Sequence, residues 1–149
     1  MPFIVDRSRS IISAMIVGRK VTSLDVAWLR REVFADGFVT REAAEELFAV
    51  ERAEIAKAPE WNNLFVEMIT EHALWQTRPT GVLNESQAEW LLLQCDSCVT
   101  VNALATLVNV LGETHRAPVW FLAAVRARAE CERVGHEGAA RALAGQSAC

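Results

Sequence analysis

Tyrosine is absent from this sequence, and glycine and proline are scarce, with seven and four residues among 149. So few turn-forming residues argue against a sandwich or barrel of many short strands. No stretch alternates apolar and polar residues as a half-buried strand does, and no apolar run approaches the roughly 18 residues of a membrane span. The sequence therefore predicts an all-α protein, and its length predicts a single helical domain over residues 1–149.

Sequence motifs of catalysis are also missing. There is no glycine-rich phosphate loop, no HExxH pair, and no local signature of a nucleophile with a histidine base and an orienting acid. A net charge of −4 argues against a nucleic-acid partner, because phosphates attract concentrated positive charge. We expect a non-enzymatic binding protein, with an enzyme that has a pocket near Glu67 and Glu71 as an alternative.

The four cysteines, at positions 95, 98, 131 and 149, are irregularly spaced. A chain of this length can bury an adequate core without disulfides, so no disulfide framework is predicted. The basic N-terminal stretch does not fit a secretory signal, because Asp6 interrupts it and Gly18-Arg19-Lys20 stands where a cleavage site would be. Together these features predict a cytoplasmic protein.

Helical periodicity and helix-capping residues are what the sequence does contain. The N-cap candidates, each followed by apolar residues at helical spacing, are Thr22, Thr40, Asn84 and Thr100. Pro59 and Pro118 suit the first turns of two further helices. With an N-terminal helix over about residues 8–18, we expect a bundle of seven or eight helices, followed by a loosely ordered tail at residues 135–149.

An internal duplication is the strongest pattern in the chain. Asp36-Gly-Phe-Val-Thr-x-x-Ala-x-x-x-Leu47 corresponds without a gap to Asp96-Ser-Cys-Val-Thr-x-x-Ala-x-x-x-Leu107, at an offset of 60. Ala-Pro-Glu-Trp61 corresponds to Ala-Pro-Val-Trp120 at 59, and Ala-Trp-Leu29 resembles Glu-Trp-Leu91 at 62. The sequence predicts two helix–acidic turn–helix–helix units, at about residues 22–77 and 84–134, packed about a pseudo-twofold axis.

The duplication bears on the Cys95-Asp-Ser-Cys98 motif. A C-x-x-C pair can form a redox centre or half of a zinc site. In the first unit the corresponding positions hold Ala35 and Phe38, and no second pair of cysteines or histidines completes a zinc set. We therefore expect both cysteines to act as small apolar residues.

The acidic turns at Asp36 and Asp96 resemble the middle of an EF-hand calcium loop. The pattern fails at position twelve, where Ala43 and Leu104 replace the bidentate glutamate that completes calcium coordination. We expect the two aspartates to cap and turn the chain.

Acidic residues are concentrated in residues 32–71, which hold ten acidic and three basic side chains, a net charge of −7. Glu67 and Glu71 are four residues apart on one helix face, where like charges repel unless something compensates them. A divalent cation is one candidate partner, and an arginine, Arg126 of the second unit, is the other. His72 lies on the apolar stripe of the same helix, and we expect it in or near the core.

The chain also has five tryptophans and six phenylalanines, more large aromatic residues than one small core obviously needs. Aromatic side chains left on the surface favour association with a protein. A protein-interaction or homodimerisation module without a metal is therefore an alternative function.

The duplicated acidic turns and capped helices resemble the TerB-like proteins of bacterial tellurite resistance. Leu29-Arg-Arg-Glu-Val-Phe-Ala-Asp-Gly37 and Phe65-Val-Glu-Met-Ile-Thr-Glu71 carry the resemblance, which covers about residues 22–130. It implies a compact helical bundle and a role in stress response or in scaffolding at the inner face of the membrane.

The same resemblance implies an acidic face that takes divalent cations, with Asp36, Glu67 and Glu71 as the ligands. The second unit departs from the pattern, with Ser97 in place of glycine and Arg126 in place of glutamate. That departure argues against a symmetric site for two metals.

Overall fold

The computed structural model describes the backbone of residues 15–140 and the side chains of residues 15–133. Within these residues the regular structure is almost entirely helical, as predicted. The elements are β1 (Lys20–Val21), α1 (Ser23–Trp28) with a π-helical continuation (Leu29–Val33), α2 (Arg41–Arg52), β2 (Ala56–Lys57), α3 (Glu60–Leu74), α4 (Glu85–Cys98), α5 (Val101–Glu113) and α6 (Val119–Ala140). None of the helices in this part of the chain is long and apolar enough to cross a bilayer.

The two ends of the chain fall partly outside the described residues. Residues 15–18 are helical and belong to the predicted N-terminal helix, whose other residues, 8–14, lie outside the description. Of the predicted loose tail, residues 135–140 continue α6 as regular helix, and residues 141–149 lie outside.

Four helices begin at the N-caps that the sequence predicts. The Thr22 hydroxyl accepts from the Asp25 amide at 3.2 Å, and the Asp25 carboxylate accepts from the Thr22 amide at 2.8 Å, which closes a capping box. The side chains of Thr40, Asn84 and Thr100 each accept from the amide three residues on, at 3.1, 2.8 and 3.1 Å. These bonds satisfy amides that a helix start leaves without partners.

Short parallel backbone pairings, which the sequence does not predict, precede helices in both halves of the chain. Val21 pairs with Lys57 between β1 and β2, and Val82 pairs with Arg116 in an isolated bridge. Pairings this short carry no two-residue periodicity, so a sequence pattern could not have shown them. The first pairing joins the segments before α1 and α3, and the second joins the segments before α4 and α6.

Helix α3 lies at the centre of the core. Its apolar stripe of Trp61, Leu64, Phe65 and Ile69 is fully buried, and Phe48 of α2 meets the Phe65 ring edge-to-face at 5.1 Å. The most extensive helix–helix interface joins α3 to α5, while α1 and α2 also pack on α3. Helix α6 is peripheral, because among the described residues its one substantial helix interface is with α5.

Candidate functional site

The three predicted metal ligands are all engaged in bonds within the protein. Asp36 accepts from the Phe38 amide at 3.0 Å, in a short turn. Glu67 accepts from the Arg30 guanidinium at 2.8 Å, so its arginine partner is Arg30 and not the predicted Arg126. Glu71 accepts from the side-chain amide of Gln76 at 3.1 Å.

Gln76 also holds the acidic turn against the end of α3. Its amide nitrogen donates to the Gly37 carbonyl at 3.2 Å, and its amide oxygen accepts from the Val39 amide at 3.2 Å. Gly37 has a φ of +74°, a conformation that glycine adopts without a steric penalty. The Asp36-Gly37 turn therefore has a structural explanation that needs no calcium.

Glu67 and Glu71 do share a depression, together with Glu113 of α5. Its volume is about 290 Å³, and it is lined by Gly37, Glu67, Met68, Thr70, Glu71 and Glu113. In the described part of the chain, no group of three or more His, Cys, Asp or Glu side chains is placed to hold a metal ion.

Glutamates accept hydrogen bonds from four of the five tryptophans. The indole nitrogens of Trp61, Trp75, Trp90 and Trp120 donate to Glu51, Glu113, Glu45 and Glu85, at 2.8, 3.3, 3.1 and 2.8 Å. Each pair lets a large apolar ring pack while its N–H keeps a strong acceptor. These hydrogen bonds thus explain some of the acidic residues and some of the tryptophans together.

Glu51 is the acid in this set that is itself buried. Only 6% of it is exposed, and the same carboxylate oxygen accepts from Trp61 and from the Asn102 amide at 3.1 Å. A buried carboxylate without such donors would be strongly destabilising. Glu51 therefore ties α2 to α3 and α5.

His72 occupies the buried position that its place on the apolar stripe predicts. Nδ1 donates to the Val39 carbonyl at 2.8 Å, and the ring meets Trp90 edge-on at 5.1 Å. Burial lowers the pKa of His72, and the nearby Arg41 acts in the same direction. Among the described side chains Nε2 of His72 is buried without a hydrogen-bond partner, so the imidazole is neutral with its proton on Nδ1.

Cys95 and Cys98 are free and lie where apolar residues would pack. Burial raises the pKa of both thiols, Cys95 being almost wholly enclosed and Cys98 half-buried against the Phe48 carbonyl. Thiols held in the neutral form are poor nucleophiles and poor metal ligands. Cys95 belongs to the apolar core, as the sequence predicts, and Cys98 packs against that core while it is only partly buried.

Helix α6 has a second apolar stripe that faces away from the core. Phe121 and Val125 are buried toward α5, whereas Val119 is 87% and Leu122 is 41% exposed. We call the following exposed residues, which recur at helical spacing, the outer stripe: Val119, Leu122, Ala123, Arg126, Ala127 and Glu130.

A groove of about 200 Å³ opens on the other side of α6, between α5 and the end of α4. Its apolar lining includes Val99, Ala103, Leu104 and Leu107. Arg128 spans its edge with two bonds of 2.6 Å to Asp96. Asp96 lies within the last turn of α4, so the prediction that it turns the chain as Asp36 does is wrong.

Sequence reasoning missed both surfaces of α6. The outer stripe could have been recognised from Val119 and Leu122. These two apolar residues do not share the helix face of Phe121, Ala124 and Val125. The groove had no local signal, because its walls come from three helices that only the tertiary fold brings together.

Searches against family models, curated proteins and solved structures found no match to this chain. The TerB-like resemblance therefore stays a prediction.

Proposed function

We propose that this protein is a non-enzymatic module that associates with a second copy of itself through the outer stripe of α6. The observation that carries the proposal is the exposure of Val119 and Leu122 on a helix whose opposite face already packs on α5. A helix with apolar stripes on two sides can bury the second one only against another surface.

The charged end of the outer stripe is complementary to itself. If two copies of α6 lie antiparallel and cross level with residue 128, Arg126 of one copy lies opposite Glu130 of the other, and the twofold axis repeats the pair. Ala123 and Ala127 lie between the charged and the larger apolar side chains, so two helix backbones can approach closely there. Opposite charges then fix the register of the pair.

A charge-swap cycle tests this arrangement. Arg126→Glu or Glu130→Arg alone places like charges opposite one another twice, and we expect each to weaken self-association by roughly tenfold or more. The double variant restores opposite charges and should recover association. Sedimentation velocity over a concentration series measures both effects.

Arg128→Ala is the matched control, because Arg128 is on the same helix but bonds to Asp96 of α4, on the side of α6 away from the outer stripe. It should leave self-association within about threefold of the wild type. A double variant as weak as the single ones would contradict the antiparallel pairing.

We also infer that the bundle is built from the two units predicted by the sequence. Support comes from the parallel pairings Val21↔Lys57 and Val82↔Arg116, which occupy matching places before the first and third helices. Buried positions match as well, Leu29 with Leu91 at an offset of 62 and Leu47 with Leu107 at 60. The offset changes where the first unit carries its π-helical turn, a form that accommodates inserted residues.

The packing of the two units differs from the predicted pseudo-twofold arrangement. Such an axis would pair α2 with α6 as extensively as α3 pairs with α5, and among the described residues α2–α6 is not a substantial interface. Instead, α3, the third helix of the first unit, packs on α5, the second helix of the second unit.

A cation-binding, TerB-like function is the second candidate, favoured by the shared depression of Glu67, Glu71 and Glu113. Native mass spectrometry after chelator treatment, with added calcium, magnesium or zinc, tests it. A saturable adduct that is lost when Glu67→Gln and Glu71→Gln are combined supports this function. A metal-free mass at millimolar concentrations of all three ions excludes it.

A further inference from the structure

His72 is a buried titratable group at the junction of α2, α3 and α4. Only 6% of it is exposed, and its Nδ1 donates to the Val39 carbonyl at 2.8 Å. Among the described side chains its Nε2 has no hydrogen-bond partner. A neutral Nε2 is an acceptor, whereas a protonated Nε2 is a charged donor that is costly to bury without an acceptor. Protonation therefore favours a rearrangement that brings an acceptor to this atom.

Glu45 of α2 is the carboxylate best placed to become that acceptor. Glu45 and Glu42 both act on the charge of His72, and Glu45 acts more strongly. Glu45 accepts from the Trp90 indole at 3.1 Å, and the Trp90 ring meets the His72 ring edge-on at 5.1 Å. Glu45 is itself exposed, so its side chain changes partners without repacking the core.

Arg41, also on α2, would be repelled by a charge on His72. Its guanidinium lies 4.9 Å from the centroid of the Trp90 ring and donates to Gln87 at 2.7 Å. Like charges that share one aromatic neighbour repel each other, and the exposed Arg41 has solvent to move into. The contacts of His72 with α4 and with the segment before α2, Trp90 and the Val39 carbonyl, are uncharged. A proton on His72 thus acts on both groups of α2 that hold Trp90.

We propose that His72 is a pH-sensitive switch between α2 and α4, in which protonation draws the Glu45 carboxylate from the Trp90 indole to Nε2 of the imidazolium. The indole N–H then lacks its acceptor and turns toward water. The contact between α2 and α4 loosens, while the core around α3 keeps its packing. This switch does not depend on the self-association proposed for α6.

Nitrogen–proton correlation NMR spectra at a series of pH values test the switch, because each of the five tryptophans has one indole N–H. The Trp90 signal is the one that is missing from the spectrum of Trp90→Phe. We expect it to shift progressively from about pH 7.5 to about pH 5, where glutamates with an ordinary pKa of about 4.3 stay mostly ionised. Because burial lowers the pKa of His72, the midpoint should lie below pH 6.5. An unchanged Trp90 signal over this range would overturn the proposal.

Trp61 and Trp120 are internal controls in the same spectra. Both donate to a glutamate at 2.8 Å, and both rings contact phenylalanine where Trp90 contacts a histidine. Their signals should stay in place while the Trp90 signal moves. If all three signals changed together, acid would be unfolding the protein as a whole, and a local switch would be ruled out.

Glu45→Gln separates the two partners of the carboxylate. The new amide oxygen still accepts from Trp90 but attracts an imidazolium less, so the Trp90 signal should stay in place as the pH falls. Glu42→Gln is the matched control, because it removes the same charge from α2 but not the acceptor of Trp90, and it should preserve the shift. Equal behaviour of the two variants would contradict a transfer of Glu45.

His72→Asn tests whether the histidine is the group that titrates. We expect the Trp90 signal of this variant to be independent of pH over the same range. A Trp90 shift that persists in His72→Asn would show that another group causes it and would overturn the proposal.

Discussion

Acidic side chains in this molecule serve largely as hydrogen-bond acceptors. Glu45 and Glu51 accept from tryptophan indoles, and Glu67 and Glu71 accept from Arg30 and Gln76. Several acids of the segment that suggests a cation site in the sequence thus have hydrogen-bond partners in the fold. The sequence has more tryptophans than one small core needs, but four of the five donate hydrogen bonds to glutamates.

The depth of a tryptophan–glutamate pair should determine its contribution to stability. Trp61→Phe leaves buried Glu51 without one of its two donors and opens a cavity, so we expect a loss of about 2–4 kcal/mol in the free energy of unfolding. Trp120→Phe removes a similar bond to Glu85 from a side chain that is 38% exposed, and should cost less than about 1 kcal/mol. Urea denaturation measures both, and equal losses would contradict this explanation.

His72 should make the fold less stable in acid. Burial and Arg41 lower its pKa, while Glu42, Glu45 and the bond to the Val39 carbonyl oppose them. Because the unfolded chain then binds the proton more tightly, this contribution is fully present above pH 6.5 and falls as the pH drops from there toward the folded-state pKa.

His72→Asn keeps a donor near the Val39 carbonyl and removes the titration. We expect the variant to lose part of the decline in stability that the wild type shows below pH 6.5 in urea titrations at a series of pH values. An unchanged decline would show that other groups cause it.

Helix starts are the features that the sequence predicts best. The C-terminal end of α4 shows where such predictions fail. The N-cap of this helix, Asn84, is predicted correctly, but the helix continues through the predicted turn at Asp96 and ends at Cys98. Its C-cap is Val99, which is in the left-handed region with a φ of +49° and is 86% exposed. Sequence reasoning does not place a β-branched residue there, because that conformation strains it.

Val99→Gly should therefore stabilise the protein, by about 1 kcal/mol. Glycine is the usual residue at a left-handed helix end, and the relief of strain exceeds its larger entropy in the unfolded chain. Val101→Gly, two residues on in the first turn of α5, should instead destabilise by about 1 kcal/mol, since its backbone is helical. Thermal unfolding compares the two, and destabilisation by both would contradict strain at Val99.

Helix faces were predictable only where the periodicity was unbroken. The buried stripe of α3 agrees with its sequence pattern, and Trp61 is fully enclosed as expected. The matching Trp120 is partly exposed, because α6 turns the adjacent Phe121 toward the core instead. A shift of one residue rotates a helix face by about 100°, so short motif matches do not fix which side chain is buried.

At the scale of the whole molecule, α6 carries two apolar surfaces that the packing of the described helices leaves uncovered. One side packs on α5 and borders the groove, and the other carries the outer stripe. The three acids predicted as metal ligands, Asp36, Glu67 and Glu71, in contrast have hydrogen-bond partners within the chain. This contrast is the reason why we propose α6, and not the acidic segment, as the binding surface.

Sedimentation equilibrium of the wild type, Leu122→Glu and Leu93→Glu tests this conclusion most directly. Leu93 is also exposed, at 68%, but lies on α4 outside the outer stripe. We predict a wild-type mass that approaches twice 16.5 kDa with rising concentration, a similar mass for Leu93→Glu, and a mass near 16.5 kDa for Leu122→Glu. A wild-type mass of 16.5 kDa at every concentration, or the same behaviour in both variants, would contradict self-association through α6.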